Sequence, residues 1–160
     1  MCYLLWFVKT IKDEPFMRLF FLSVFFSLAL LGYSFSAVAD NSLTLTIITK
    51  SQEKGEVLIA VFASEKGFPY EGERATKLAK CKPVSGKCSV SISDLPPGKY
   101  AVSVFQDRNG DEKFNTNFLG IPQEGYGVSN NAISTFRAPT YQEALFQHKS
   151  STSLEIRLTY

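Results

Sequence analysis

The sequence predicts an all-β fold, an antiparallel β-sandwich of about seven strands. Three observations carry that expectation. From Asn41 onward the apolar residues recur mostly with period two, the spacing of a strand with one buried and one wet face. Clusters of Gly, Pro, Asn and Asp separate the apolar runs, as short turns require. No long amphipathic helical pattern interrupts them, and the sequence shows neither an internal repeat nor a low-complexity tract.

The first strand is SLTLTIIT, where Leu43, Leu45 and Ile47 alternate with Thr44 and Thr46. GEVLIAVFA is apolar on both faces and rich in β-branched residues, which suits a central strand. EKGFPYEGERATKLAKCKP follows; Gly67, Pro69 and Gly72 mark a surface loop, with a weaker strand or short helix expected between Arg74 and Lys80. KCSVSIS restores the alternation, with Cys88, Val90 and Ile92 inward. DLPPG then breaks the ladder, since Pro96 and Pro97 have no amide hydrogen to donate and Gly98 tolerates positive φ. The strand KYAVSVFQ comes next and is expected to pair with KCSVSIS across that turn. STSLEIRLTY closes the set, with Leu154, Ile156 and Leu158 facing the core.

Ahead of this domain, MRLFFLSVFFSLALLGYSFSAVAD has the order of parts of a signal peptide. Arg18 supplies the basic start, residues 19–31 the apolar stretch, and Ala37-Val38-Ala39 the small-residue site, so that cleavage leaves Asp40 first. Residues 1–16 fit poorly, because Lys12, Asp13, Glu14 and Pro15 interrupt any continuous span; they are read as an extension upstream of a start at Met17. The expected organisation is therefore an extension at 1–16, a signal peptide at 17–39, and a single domain at 40–160. The expected compartment is the periplasm or the medium, with no membrane span after cleavage. The formal charge is +2; three of 17 bases and two of 15 acids lie in residues 1–39, so the remainder is near neutral. Nucleic acid is an unsuitable partner for such a surface.

Cys2 lies in the leader, leaving the even pair Cys81 and Cys88 in CKPVSGKC. In an exported domain such a pair is expected to form a disulfide, with Pro83, Ser85 and Gly86 reversing the chain as a hairpin between the sulfurs. The spacing is not that of a C-x-x-C metal site, and His148 is distant in sequence.

LPPGKYAVSVFQDRNGDEKFNTNFLGIPQEGYGVSNNA and the following PTYQEALF resemble the DUF2141 family of exported bacterial proteins, to which no activity is assigned. The likeness rests on Leu95 to Ala101, on Asp107 with Asn109-Gly110, on Asn117-Phe118-Leu119-Gly120-Ile121-Pro122, on Glu124-Gly125-Tyr126-Gly127 and on Ser129-Asn130-Asn131. LPPGKYAVSVF is also similar to the end of transthyretin-like and Cna-B-like sandwiches, which implies a transthyretin- or immunoglobulin-like arrangement. Gln106 and Val128 depart from the His and Phe usual in the family.

The loop after Gln106 invites a metal. Asp107, Asn109, Asp111 and Asn115 fall at positions 1, 3, 5 and 9 of a Ca²⁺ loop, with the Lys113 carbonyl at position 7. Glu112 replaces the required Gly and Phe118 the bidentate Glu, so a calcium site would need a carboxylate from elsewhere, such as Glu124. The plainer alternative is a turn at Asn109-Gly110, with Asp107 and Asp111 capping backbone amides and Asn130-Asn131 bracing the loop. Phe114, Phe118, Tyr126 and Tyr141, with Asn130 and Asn131, are candidates for a ligand rim, or pin the loop to the core. No nucleophile motif is present; Asp107, Asp111 and Glu124 are the carboxylates available for general acid–base work. The expected function is an exported, non-catalytic binding or envelope-associated module for an unknown ligand, with calcium as an optional cofactor. The competing expectation is a small carboxylate-based hydrolase.

Overall fold

The computed structural model describes residues 41–160 apart from 51, 53, 135 and 136, and the described residues form one compact unit. The expected upstream extension, the expected leader with its Ala39-Asp40 cleavage site, and Cys2 lie outside the described residues. Two sheets face each other. The smaller has the order β4-β1-β8, where β1 is Ser42–Ile48, β4 is Lys87–Ile92 and β8 is Ser151–Arg157. The larger has the order β3-β2-β5-β6, from Lys77–Cys81, Glu56–Phe62, Gly98–Asp107 and Tyr126–Val128, and β7 (Phe146–His148) pairs with the start of β5. A single-turn helix, α1 (Tyr141–Ala144), sits between β6 and β7. Among the described residues no helix is long and apolar enough to cross a membrane.

The all-β sandwich is as the alternation predicts. Leu43, Leu45 and Ile47 of β1 are fully buried against Val57, Ile59 and Val61 of β2 and against Tyr100, Val102 and Val104 of β5. Burying one such side chain contributes roughly 1.5–3 kcal/mol, so the alternating positions supply most of the stability. The strand expected between Arg74 and Lys80 is β3, preceded by a 3₁₀ turn at Gly72–Arg74.

Three pairings differ from expectation. β4 does not pair with β5; it lies antiparallel to β1, with Leu45 opposite Val90 and Ile47 opposite Cys88. DLPPG is therefore a crossover between sheets. Leu95 plugs the core there, its amide donates to Asn41 O, and Tyr100 Oη donates to Pro96 O at 2.9 Å. β1 and β8 run parallel, with Leu45 beside Leu154 and Ile47 beside Ile156, so the sandwich is antiparallel except for this one pair. Finally, the chain does reverse at Ser85-Gly86, both at positive φ, but the flanking strands belong to different sheets.

Cys81 and Cys88 form a disulfide, and it therefore ties one sheet to the other. Replacing both with Ser is expected to lower unfolding free energy by about 2.5 kcal/mol, the chain-entropy value for so short a loop. Urea unfolding of the oxidised parent and the double variant checks this; equal midpoints would show that the staple adds nothing to the packed sheets.

His148 lies within the fold. Its Nε2 donates to Leu95 O at 2.9 Å and its Nδ1 is 3.0 Å from Thr152 Oγ1, with Tyr100 edge-on to the ring. The imidazole is buried and committed on both nitrogens, in a structural role.

Candidate functional site: a braced loop and an aromatic groove

The loop between β5 and β6 is organised by two buried carboxylates. Asp107, the last residue of β5, accepts Gly110 N on one oxygen at 2.7 Å and Glu112 N on the other at 2.9 Å. Glu124, at the far end of the loop, accepts Arg108 N at 3.1 Å and Asn115 N at 3.0 Å. Each carboxylate thereby satisfies two amides that have no strand to pair with, which is how an irregular segment can lie against a core without orphaned donors.

A second cluster is built on Asp111. Its Oδ1 accepts Lys113 N, while its Oδ2 takes the side-chain amides of Asn109 and Asn115, each at 3.0 Å. Asn109 Nδ2 also reaches Asn115 Oδ1 at 3.0 Å. The five residues with calcium-loop spacing, and Glu124, thus divide. Asp107 and Glu124 turn to backbone amides, Asn109, Asp111 and Asn115 turn to one another, and Lys113 contributes an amide. Among the described residues no three His, Cys, Asp or Glu side chains converge. Asn109-Gly110 is a turn, with Gly110 at φ +79, but it does not join two paired strands; a bridge between Thr116 and Pro122 further along supplies the hairpin.

Gln106 is fully buried at the root of the loop. Its Nε2 donates to Lys54 O, its Oε1 accepts the Tyr160 hydroxyl, and its amide donates to Gly125 O. Position 106 thus holds chain segments together rather than facing solvent.

The loop folds over the outer face of the larger sheet and walls a groove of 630 Å³. Leu58 and Ala60 of β2 with Ser103 and Phe105 of β5 make the floor; the segment of Pro69, Tyr70 and Glu73 with Leu78 makes one wall, and Lys113, Phe114 and Thr116 the other. This face points away from the core by the same alternation that sends Val57, Ile59, Val102 and Val104 into it, though Ala60 and Ser103 on it are buried. Tyr70 stacks on Phe114 with centroids 5.4 Å apart and 18° between planes, joining the walls. Phe105 and Tyr126 meet Phe114 edge-on at 5.8 and 5.9 Å. Burial, and the neighbouring Tyr126 phenol, raise the Tyr70 pKa above its ordinary value. Ser103 Oγ donates to Pro69 O at 2.8 Å and fixes the first wall to the floor.

Of the expected rim residues, Phe114 and Tyr126 are in this cluster. Phe118 projects from the loop tip into solvent. Asn130 and Asn131 are elsewhere: Asn130 Nδ2 donates to Glu143 O and Leu145 O, while Asn131 bonds Glu155 O and Arg157 N across to β8. Both adopt positive φ, which asparagine tolerates, so they are braces of the segment after β6. Tyr141 packs edge-on to Phe68 beneath α1. That helix begins with a capping box between Thr140 and Glu143, and Arg137 beside Glu143 holds its carboxyl far below the usual carboxylate range. Tyr70, Phe105 and Ser103 belong to the groove and are missed by sequence reasoning. The odd positions of β5 carry the one available signal, since Ser103 and Phe105 fall on the face opposite Val102 and Val104.

In comparison with known proteins, the profile of the family described as "Uncharacterized protein conserved in bacteria (DUF2141)" matches residues 45–155. No curated protein and no solved structure matches the chain.

Proposed function

The chain belongs to the DUF2141 family, and on that premise we propose that it is an exported, non-catalytic binding module whose ligand lies in the groove of the larger sheet. The observation that carries this reading is the groove itself: 630 Å³ above an apolar floor, with the stacked Tyr70–Phe114 pair and no ionisable group on the floor. That volume is of the size that takes small molecules. The ligand that suits it has a flat apolar face, to lie on Leu58, Ala60 and Phe105, and an uncharged body. The bonding of Asp107 and Glu124 supports the non-catalytic half, since a carboxylate hydrolase needs two carboxyls turned to an open cleft.

An uncharged planar fluorophore, N-phenyl-1-naphthylamine, tests the site. Its emission is expected to rise with the parent chain, and Tyr70→Ala, an exposed position whose truncation leaves the core alone, is expected to weaken binding about tenfold, roughly the 1.4 kcal/mol of one lost aromatic face. Equal binding by parent and variant, both carrying the same N-terminus, would remove the groove from consideration.

Calcium enters this reading as an addition to a loop that already holds itself. For a cation to sit at Asp111, the Asn109 and Asn115 amides, now donating to Oδ2, must turn to present oxygen instead. The melting temperature is therefore expected to be the same in chelator as in plain buffer. A calcium-dependent loop would gain about 2.7 kcal/mol at a hundredfold excess of Ca²⁺ over its dissociation constant, and a melting shift of that order, lost in Asp111→Ala, would make the ion integral.

A further inference from the structure

Residues 114–123 run without an ionisable side chain, and their tip holds three large apolar side chains in water: Phe118 is 95 % exposed, Leu119 67 % and Ile121 54 %. The tip is nonetheless built. Asn117 N donates to Ile121 O, Gly120 N donates to Asn117 O, and Asn117 Oδ1 accepts the amides of both Leu119 and Ile121. Gly120 completes the reversal at φ +77, with open space where a Cβ would be. Pro122 has no amide to satisfy. Four of the tip's donors are thus bonded within it, and what faces outward is chiefly hydrocarbon.

We propose that this tip is a membrane-insertion site, by which the protein attaches peripherally to a phospholipid surface. A protruding, uncharged tip has the shape of something that enters a soft medium rather than of a cleft that receives a ligand. Internal satisfaction of backbone amides is what the apolar zone of a bilayer demands. The charges beside the stem match as well. Asn115 and Gln123, which close the stem by a backbone bond, border an open basin that also carries Lys54 and Arg108, placed to meet lipid phosphates as the tip enters. The nearby acids are engaged: Glu124, which lines the same basin, by Arg108 N and Asn115 N, Asp111 by Asn109, Asn115 and Lys113 N, and Glu112 by Lys80 at 3.9 Å. Gly120 borders the groove, but Phe118, Leu119 and Ile121 do not line it, so either site can fail without the other.

The test uses a fluorophore placed at the tip, because an attached leader would itself bind vesicles. Trp6 is the sole tryptophan, so Phe118→Trp in a Trp6→Phe chain reports the tip alone. With vesicles of mixed phosphatidylethanolamine and phosphatidylglycerol, its emission is expected to shift to the blue, to be quenched by lipids brominated along the acyl chain, and to stay shifted at high salt. Val84→Trp, in the exposed turn before β4, is expected to keep the emission of a water-exposed indole even if the leader brings the chain to the vesicle. Adding Leu119→Ser and Ile121→Ser to the Phe118→Trp chain is expected to abolish the shift; both positions are exposed, so the fold is spared. The proposal is overturned if the Phe118→Trp chain responds to vesicles no more than the Val84→Trp chain, or if salt removes the shift, which would reduce it to surface electrostatics. It is likewise overturned if the shift grows with protein concentration in the absence of lipid, which would make the partner a second copy of the chain.

Discussion

Gly55→Ala is expected to destabilise the domain by about 4 kcal/mol, combining a strained positive φ with an unrelievable overlap. Gly55 stands just before β2 at φ +111, and a Cβ there would come 1.9 Å from Asp107 O and 2.7 Å from Asp107 C. Both are backbone atoms, and neither can swing aside as a long side chain would. The ends of β2 and β5 would have to part at the residue from which the loop is hung. Gly110→Ala is the control, because Gly110 also has positive φ but open space around its Cβ position; it is expected to cost only about 1 kcal/mol. Urea unfolding of the two variants separates strain from collision. Equal losses would mean that the strand ends separate without penalty.

Glu124→Ala is expected to cost about 3 kcal/mol and to loosen the groove wall, since it strips the acceptor from two part-buried amides at once. Arg108 N and Asn115 N lie on the arm that leads to the tip and Glu124 on the arm that returns from it, so the carboxylate adds two bonds to the Asn115–Gln123 backbone bond that joins the arms. Glu124→Gln is expected to recover less than half of that loss, because its NH₂ group would face a backbone donor where an oxygen now accepts. Hydrogen exchange at the Arg108 and Asn115 amides reads the effect locally, and N-phenyl-1-naphthylamine binding should weaken in parallel. Unchanged exchange in Glu124→Ala would show that the arms are held by something else. Asp107 belongs to the same argument. Its two oxygens hold two amides, so its removal is expected to cost more than the roughly 1 kcal/mol of a single lost bond.

Much of the sandwich is legible because alternation reports which face a residue takes. Leu43, Leu45 and Ile47 are read inward from SLTLTIIT alone, and they are fully buried. Alternation does not report which strand lies alongside, and there the reading fails: KCSVSIS and KYAVSVFQ are neighbours in sequence but belong to different sheets, because the turn between them crosses the core instead of closing a hairpin. The burial of His148 is not legible for a related reason. Phe146-Gln147-His148 does alternate, buried, exposed, buried, but three residues give too short a pattern to set against the polar KSS that follows. The loop's acids and amides are legible as a capped turn or a metal loop, since both need oxygen at alternate positions; only the direction of each side chain divides Asp107 and Glu124 from Asp111. Tyr70 is the groove residue that sequence reasoning has least means of finding. It is one aromatic in a glycine-rich surface segment, and its partner Phe114 is brought to it by the fold alone.

The parallel pairing of β1 with β8 bears on the order of events during folding. β1 occupies the middle of the smaller sheet, with β4 on one side and β8 on the other, so the first strand stays open along one edge until the eighth is available. Closing a loop of that span is entropically slow, and pairings so distant in sequence delay the rate-limiting step. A chain that emerges vectorially, amino end first, would carry the edge of β1, with Leu43, Leu45 and Ile47 behind it, uncovered through most of its emergence, and would depend on chaperoning at that stage more than at any other.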